Sequence, residues 1–293
     1  MLLQKFLNKL KIFLEMIKFE HSIFALPFAY LGLILAEDGM PRLSVLGGVT
    51  LAMVSCRTMG MALNRLIDAK IDSCNPRTRG RAIPAGLLKT SFVWAVTAVS
   101  FIIFELTSRS LGPLCLKLSP VPVLLSFLYP FAKRFTWFSH GLLGMILAIA
   151  PYGAWIASRG DFSWIPGLIS LGILFWVAGF DMIYALQDLD FDKSQGLYSF
   201  PARFGEPCTL WVTRFFHVLT VLAWFAAGEL AGLGWLYRAG MAVTAFFLIR
   251  EHWLIRFYKL QKIQESFFNM NAMVSLTVFL VTAADIALKR FHS

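Results

Sequence analysis

Nine apolar stretches dominate this sequence, at about 22–36, 44–66, 90–107, 113–130, 139–157, 163–187, 207–229, 232–250 and 270–288. A helix crosses the hydrocarbon core of a bilayer with about 20 apolar residues, and helices satisfy their own backbone hydrogen bonds where there is no water. A chain that commits nine segments to this demand folds as an all-α, multi-pass integral membrane bundle with polar caps. Composition agrees. Of the 293 residues 58% are hydrophobic and 15% are charged, against ~25% charged in soluble domains. Disordered, collagenous, coiled-coil and secreted disulfide-rich chains are excluded, and the lipid bilayer is the expected surrounding. We expect a single transmembrane domain over residues 1–293, preceded within it by an amphipathic N-terminal segment, 1–20.

The formal charge is +10, which in a soluble protein would raise nucleic acid as a partner. Here the basic residues sort by loop. Seventeen Lys and Arg fall in the N-terminal segment and in the loops after spans two, four, six and eight, and seven fall on the opposite side. Basic residues accumulate on the cytoplasmic face of multi-span proteins. The bias therefore predicts an odd number of spans with the N-terminus and the charged loops cytoplasmic, and no nucleic-acid partner; a bacterial inner (plasma) membrane is the expected location. Residues 1–21 interleave Lys5, Lys9, Lys11 and Lys18 with apolar residues, carry Glu15 and Glu20, and lack a small-residue cleavage site. They read as an interfacial helix rather than a signal or transit peptide. Cys56, Cys74, Cys115 and Cys208 are scattered, without a CxxC pair, and are expected to be buried apolar thiols rather than disulfide or zinc ligands.

The acids are the informative charges. Span two runs into Asn64, Asp68 and Asp72, and span six runs through Asp181 and Tyr184 into Asp188, Asp190 and Asp192. Both contain D-x-x-x-D, which places two carboxylates one turn apart on one helix face. Such a pair repels itself unless a cation sits between, and Mg²⁺ is bound by one or two carboxylates plus substrate phosphates. Asn64 stands one turn before Asp68 and offers a carbonyl on the same face. Each pair precedes a loop rich in Gly, Pro and basic residues, 73–86 with Arg77 and Arg81, and 193–205 with Lys193 and Arg203. The two blocks lie 120 residues apart, a hint of internal duplication. Carboxylates for a metal beside arginines for phosphate oxygens are the parts that hold a diphosphate. His21, His140, His217, His252 and His292 form no spaced cluster and are given no metal or base role.

These residues resemble the UbiA superfamily of intramembrane aromatic prenyltransferases, whose signatures are N-x-x-x-D-x-x-x-D after the second helix and D-x-x-x-D after the sixth. The resemblance runs along the chain: Pro27, Arg77-Thr78, Arg81 with Pro84-Ala85-Gly86, Tyr129 to Arg134, Asp181 with Tyr184-Ala185, Gly228 to Trp235, and Phe268 to Asn271. Within the superfamily it is strongest to members that prenylate 4-hydroxybenzoate. One departure is Arg65, where many members carry Asp directly after the motif Asn.

The resemblance implies a polyprenyl diphosphate donor, Mg²⁺ and an aromatic quinone precursor as acceptor, 4-hydroxybenzoate on a ubiquinone route or a naphthoate on a menaquinone route. It assigns Asn64, Asp68, Asp72, Asp188 and Asp192 to the metal. Arg77, Arg81, Lys133 and Arg134 offset diphosphate charge, and Asp181 and Tyr184 position the acceptor or the diphosphate. Arg57, two turns above Asn64, either binds the acceptor's carboxylate or pairs with a core acid. Asp190 is either an outer support of the metal or solvent-exposed. A transporter, the reading from another class, would spread acids through the membrane depth, whereas these cluster at one end of the spans.

Overall fold

The computed structural model describes residues 2–19, 22–258 and 263–292. Glu20, His21, Lys259 and Lys262, all named or counted above, lie outside the described residues. Every regular element described is helical: α1 (Leu2–Met16), α2 (Ser22–Glu37), α3 (Leu43–Ile67), α4 (Ala69–Cys74), α5 (Thr90–Leu111), α6 (Pro113–Leu118), α7 (Pro120–Ala132), α8 (Ser139–Arg159), α9 (Trp164–Ala185), α10 (Leu189–Ser194), α11 (Phe200–Leu230), α12 (Trp235–Tyr258) and α13 (Ile263–His292). The nine expected spans fall on α2, α3, α5, α6–α7, α8, α9, α11, α12 and α13. Seven described segments are long and apolar enough to cross a membrane, and Ala25–Glu37 is a shorter apolar helix. α12 carries Arg238, Arg250 and Glu251 along its length. The fold is that of an all-α, multi-pass membrane protein.

The fourth span, Pro113–Ala132, is one apolar segment with an interruption where α6 stops at Leu118 and Pro120 opens α7, because proline has no N–H to continue a helix but suits its first turn. One expectation needs correction. The stretch 193–205 is not loop throughout. Ser199 caps α11 by accepting the Ala202 N–H at 3.3 Å, and the helix runs from Phe200 through a kink at Gly205, whose φ is +78°. Only glycine enters that region without a steric cost, so a Gly that reads as a loop signal is here a bend between two helical pieces.

The chain divides into two compact units, Met1–Ile23 with Gly48–Phe131, and Phe24–Gly47 with Ala132–Ser293. In the first, Phe13, Met16 and Ile17 at the end of α1 pack with Ala62 of α3, Ala82 and Leu88 of the following loop, and Val93 of α5. Phe13 meets Phe92 edge to face at 6.0 Å. Phe13 and Met16 of α1 are therefore buried in protein, while Leu7, Asn8 and Lys9 stay exposed.

The second unit is centred on Phe28, Leu31, Trp176, Val177, Trp224, Tyr237 and Val278. Several of its buried polar groups are paired across helices. Trp224 Nε1 donates to the Ile169 carbonyl at 3.0 Å, and the Tyr237 hydroxyl donates to the Trp224 carbonyl at 2.7 Å. Asp285 accepts the Gly234 and Tyr237 N–H groups at 2.6 and 3.3 Å. A carboxylate there satisfies donors that the start of α12 leaves without intrahelical partners. Gly144 of α8 lies so near α9 that a Cβ would stand 2.5 Å from the Leu174 carbonyl oxygen. Outward faces carry Trp94, Leu106, Trp211, Phe215, Leu222, Phe246 and Leu280 exposed, the surface that lipid would cover.

Candidate active site

The first acid motif sits where α3 gives way to α4. Asp68 is the junction residue, with φ −89° and ψ 0°, yet helical hydrogen bonding continues through it. The Asp68 N–H donates to the Asn64 carbonyl at 3.0 Å, and the Asp72 N–H donates to the Asp68 carbonyl at 2.8 Å. Asn64, Asp68 and Asp72 therefore keep the shared face that their spacing predicts. The Asp68 side chain heads α4 but accepts no hydrogen bond from that helix's own N–H groups. Asn64 Nδ2 donates to Asp68 Oδ2 at 3.2 Å, and Asn64 Oδ1 accepts from Arg65 Nη1 at 3.3 Å. Arg65 Nε also donates to the Met16 carbonyl at 3.2 Å. A guanidinium at the last carbonyl of a helix is favourable for the dipole and for hydrogen bonding alike. The departure at position 65 thus ties α1 to the first residue of the motif.

The loop after α4 is organised around Asp72, which is buried. Arg81 Nη1 donates to both Asp72 oxygens at 2.7 Å, and the Thr78 hydroxyl donates to the Asp72 carbonyl at 3.1 Å. Asn75 Oδ1 accepts the Arg77 N–H at 2.9 Å, a side-chain mimic of a turn, which leaves Arg77 exposed on the loop. Arg57 Nη2 donates to the Lys18 carbonyl at 3.4 Å.

The second motif repeats this design within the second unit. α9 ends at Ala185, one tight turn spans Leu186–Asp188, and Asp188 heads the six-residue α10 with φ −103° and ψ 8°. Its side chain, like that of Asp68, does not cap its own helix. Asp188 and Asp192 are buried. Asp192 Oδ2 has no hydrogen-bond partner among the described residues, and Lys133 Nζ stands 3.8 Å from it. The Lys133 carbonyl accepts the Tyr198 N–H at 2.7 Å, which fixes the base of that side chain. Arg134 and Asp190 are exposed.

Seven residues before Asp188, the structure gives Asp181 a partner that spacing did not reveal. His140 Nδ1 lies 2.6 Å from Asp181 Oδ2, and His140 Nε2 accepts the Phe200 N–H at 3.4 Å. A second pair, His217 and His252, meets at 3.0 Å, with Glu251 Oε2 3.9 Å from His217 Nδ1. These pairs join residues 41 and 35 apart in sequence, so no motif announces them. The available signal was physical: a polar side chain inside an apolar span needs a polar partner there.

Among the described residues, no three His, Cys, Asp or Glu side chains are gathered closely enough to hold a metal ion alone. What is present is a pair of carboxylates at each of two helix breaks, one oxygen of which is buried and unbonded. Oxygen-only donor sets supplying one or two carboxylates fit Mg²⁺, which takes its remaining ligands from water and substrate phosphates.

A polytopic helical bundle with acid–base clusters at two equivalent helix breaks defines the class to which this protein belongs. Comparison with known proteins specifies it. The model of the UbiA prenyltransferase family matches residues 25–273. A 4-hydroxybenzoate octaprenyltransferase of Hydrogenovibrio crunogenus is 31% identical, covering 86% of this chain and 87% of its own. Its counterpart in Pseudomonas aeruginosa is 30% identical, covering 87% and 86%. The apo structure of a UbiA homolog from Aeropyrum pernix superposes with a TM-score of 0.81 at 32% identity, over 92% of this chain and 98% of that one. A UbiA homolog from Archaeoglobus fulgidus bound to GPP and Mg²⁺ shares the fold, with a TM-score of 0.68 at 18% identity over 94% and 99%. The chain belongs to the UbiA prenyltransferase family and is an enzyme of the prenyl-transferring kind.

Proposed function

We infer that the chain transfers a polyprenyl group from polyprenyl diphosphate to 4-hydroxybenzoate, with Mg²⁺ assisting departure of the diphosphate. The observation that carries this reading is the matched pair Asp68 and Asp188. Each heads a six-residue helix after a span, and neither spends its carboxylate on capping that helix. The 4-hydroxybenzoate octaprenyltransferases at about 30% identity over most of the chain support the donor and the acceptor. In this reading residues 1–293 act as one prenyltransferase domain in a bacterial inner membrane. The basic residues of the even-numbered loops, with those of the N-terminal segment, support a cytoplasmic position for the N-terminus and both motifs.

Asp68, Asp72, Asp188 and Asp192, with Asn64, would hold the metal, and the Asn64 amide also steadies Asp68 by donating to its Oδ2. Bound Mg²⁺ supplies neutralisation of the charge that builds on the departing diphosphate. Arg81, which bonds both Asp72 oxygens, would offset the diphosphate's charge together with Arg77, Lys133 and Arg134. These cations stabilise the diphosphate as the allylic C–O bond breaks. The apolar walls exclude water from the allylic cation, and the polyprenyl tail lies among the lipid-facing spans. Arg57, Asp181 and Tyr184 orient the acceptor, whose ring carbon ortho to the hydroxyl forms the new C–C bond.

The test is release of diphosphate from an allylic donor by the purified chain in the presence of Mg²⁺ and acceptor. Asp68→Ala and Asp188→Ala should each abolish it. Undiminished release in both variants would remove the mechanism.

A further inference from the structure

Electrophilic substitution on an aromatic ring ends with loss of a ring proton, a step that needs a base. We propose that Asp181 takes this proton and that His140 is the positioning residue that aims Asp181 for it. The inference rests on the reading above, that the chain prenylates an aromatic ring.

Three observations carry it. First, the hydrogen bonds fix the imidazole's tautomer. The Phe200 N–H can only donate, so His140 Nε2 is a lone pair, and the proton sits on Nδ1 facing Asp181 Oδ2 at 2.6 Å. His140 is thus a neutral donor that pins one carboxylate oxygen with a short, charge-assisted hydrogen bond. Second, the two partners differ in access. His140 is 2% exposed, while the Asp181 side chain keeps 18% of its surface open. The histidine is a support and the carboxylate is the reachable group. Third, Asp181 lies near the C-terminal end of α9, which stops at Ala185, and Asp188 follows after one tight turn, with Tyr184 between the two in sequence. The carboxylate therefore lies on the chain's approach to the second acid motif.

The step balances without any further reagent. The allylic carbon forms a bond to the ring carbon ortho to the hydroxyl. That carbon's C–H bond then breaks, its electron pair returns to the ring, and the proton passes to a free oxygen of Asp181. Asp181 becomes a neutral acid, still held by the His140 Nδ1–H, and later yields its proton to water. A carboxylate aimed by a neutral imidazole is the pairing used in triads, with the roles of base and orienter exchanged.

A merely structural role is also open to His140, because it satisfies an N–H at the start of α11. Two substitutions separate the roles. His140→Asn keeps a donor near the Nδ1 position and loses the acceptor for Phe200. His140→Gln keeps an acceptor near the Nε2 position and loses the donor to Asp181. The assay uses the purified full chain with Mg²⁺, a labelled prenyl diphosphate, and 4-hydroxybenzoate carrying hydrogen or deuterium at the ring carbons flanking the hydroxyl. The wild type should react with both acceptors at the same rate, the result expected when proton loss is fast. In Asp181→Asn and His140→Gln the turnover rate should fall about 100-fold, a primary isotope effect should emerge, and the KM for the donor should hold. His140→Asn should recover most of the lost rate. Loss of rate in His140→Asn with retention in His140→Gln overturns the proposal in favour of helix capping. So does a slowed Asp181→Asn in which deuterium has no effect. A wild-type chain that labels no aromatic acceptor overturns the reading of the function and the proposal with it.

Discussion

Replacing Asp192 by Asn separates the carboxylate's part in folding from its part in catalysis. Asn is nearly the same size, so the change removes the charge and exchanges one acceptor oxygen for an NH₂ donor. Asp192 is 2% exposed, and its cation, Lys133 Nζ, stands 3.8 Å away with about a third of that side chain in contact with solvent. At an effective dielectric of about 20, a pair at this distance gains about 4 kcal/mol. Burying an ionised carboxylate costs several kcal/mol, which one hydrogen bond from Ser199 offsets only in part, since Oδ2 has none. The two contributions nearly cancel, and a Lys133 left without its partner regains water. Asp192→Asn should therefore change stability by no more than about 1 kcal/mol, or a few degrees in thermal midpoint. Activity should behave differently. A lost metal-ligand oxygen that stabilises the transition state by about 2.7 kcal/mol lowers turnover about 100-fold, and the Mg²⁺ concentration for half-maximal rate should rise. Thermal unfolding followed by tryptophan fluorescence, run beside prenyl transfer across an Mg²⁺ series, reads both. A variant of ordinary stability with wild-type turnover and Mg²⁺ demand would show that Asp192 is no ligand. A large drop in midpoint would show that the carboxylate is there to hold the fold.

Other substitutions probe other links. Arg81→Ala removes the donor that both Asp72 oxygens share, and should raise the donor KM about 10-fold or more, since hydrogen bonds to charged groups contribute ~1.5–3 kcal/mol; an unchanged KM in steady-state assays contradicts a phosphate-binding role. Arg65→Met cuts the tie between Asn64 and the Met16 carbonyl, and amide hydrogen exchange should quicken at residues 13–18 while α11 stays protected. Gly144→Val forces a side chain against the Leu174 carbonyl, and a loss of ~1–3 kcal/mol for overpacking should appear as a lower thermal midpoint. Any variant at 144 as stable as the wild type means that α8 and α9 yield more easily than their close approach implies.

The sequence's hydropathy located the helices well. The stretches read at 44–66 and 139–157 are α3 (Leu43–Ile67) and α8 (Ser139–Arg159), because the length of an apolar run reports directly on the cost of exposing backbone to lipid. Breaks inside helices were not legible. Hydropathy does not register Pro120 opening α7 within an apolar run. Nor does it show that the Gly205 bend lies inside a helix whose start is fixed by the Ser199 cap. Local spacing revealed the acid faces at Asp68/Asp72 and Asp188/Asp192, since residues four apart meet wherever a helix forms. It also pointed to the basic loops, although not to the Arg81 hold on Asp72, which depends on how residues 75–81 turn. His140 with Asp181, and His217 with His252, are contacts between different helices. They follow from which faces the helices turn toward one another, and one sequence read alone carries no record of that.

The central claim is that this chain joins a prenyl group to an aromatic ring with a divalent ion held by its paired carboxylates. The most direct measurement incubates the purified chain in lipid with Mg²⁺, a labelled prenyl diphosphate and equal amounts of 4-hydroxybenzoate and a dihydroxynaphthoate, with and without a chelator. The expected result is label on 4-hydroxybenzoate, ortho to its hydroxyl, abolished by the chelator and restored by added Mg²⁺. Label on neither ring, or transfer that persists without the ion, would contradict it.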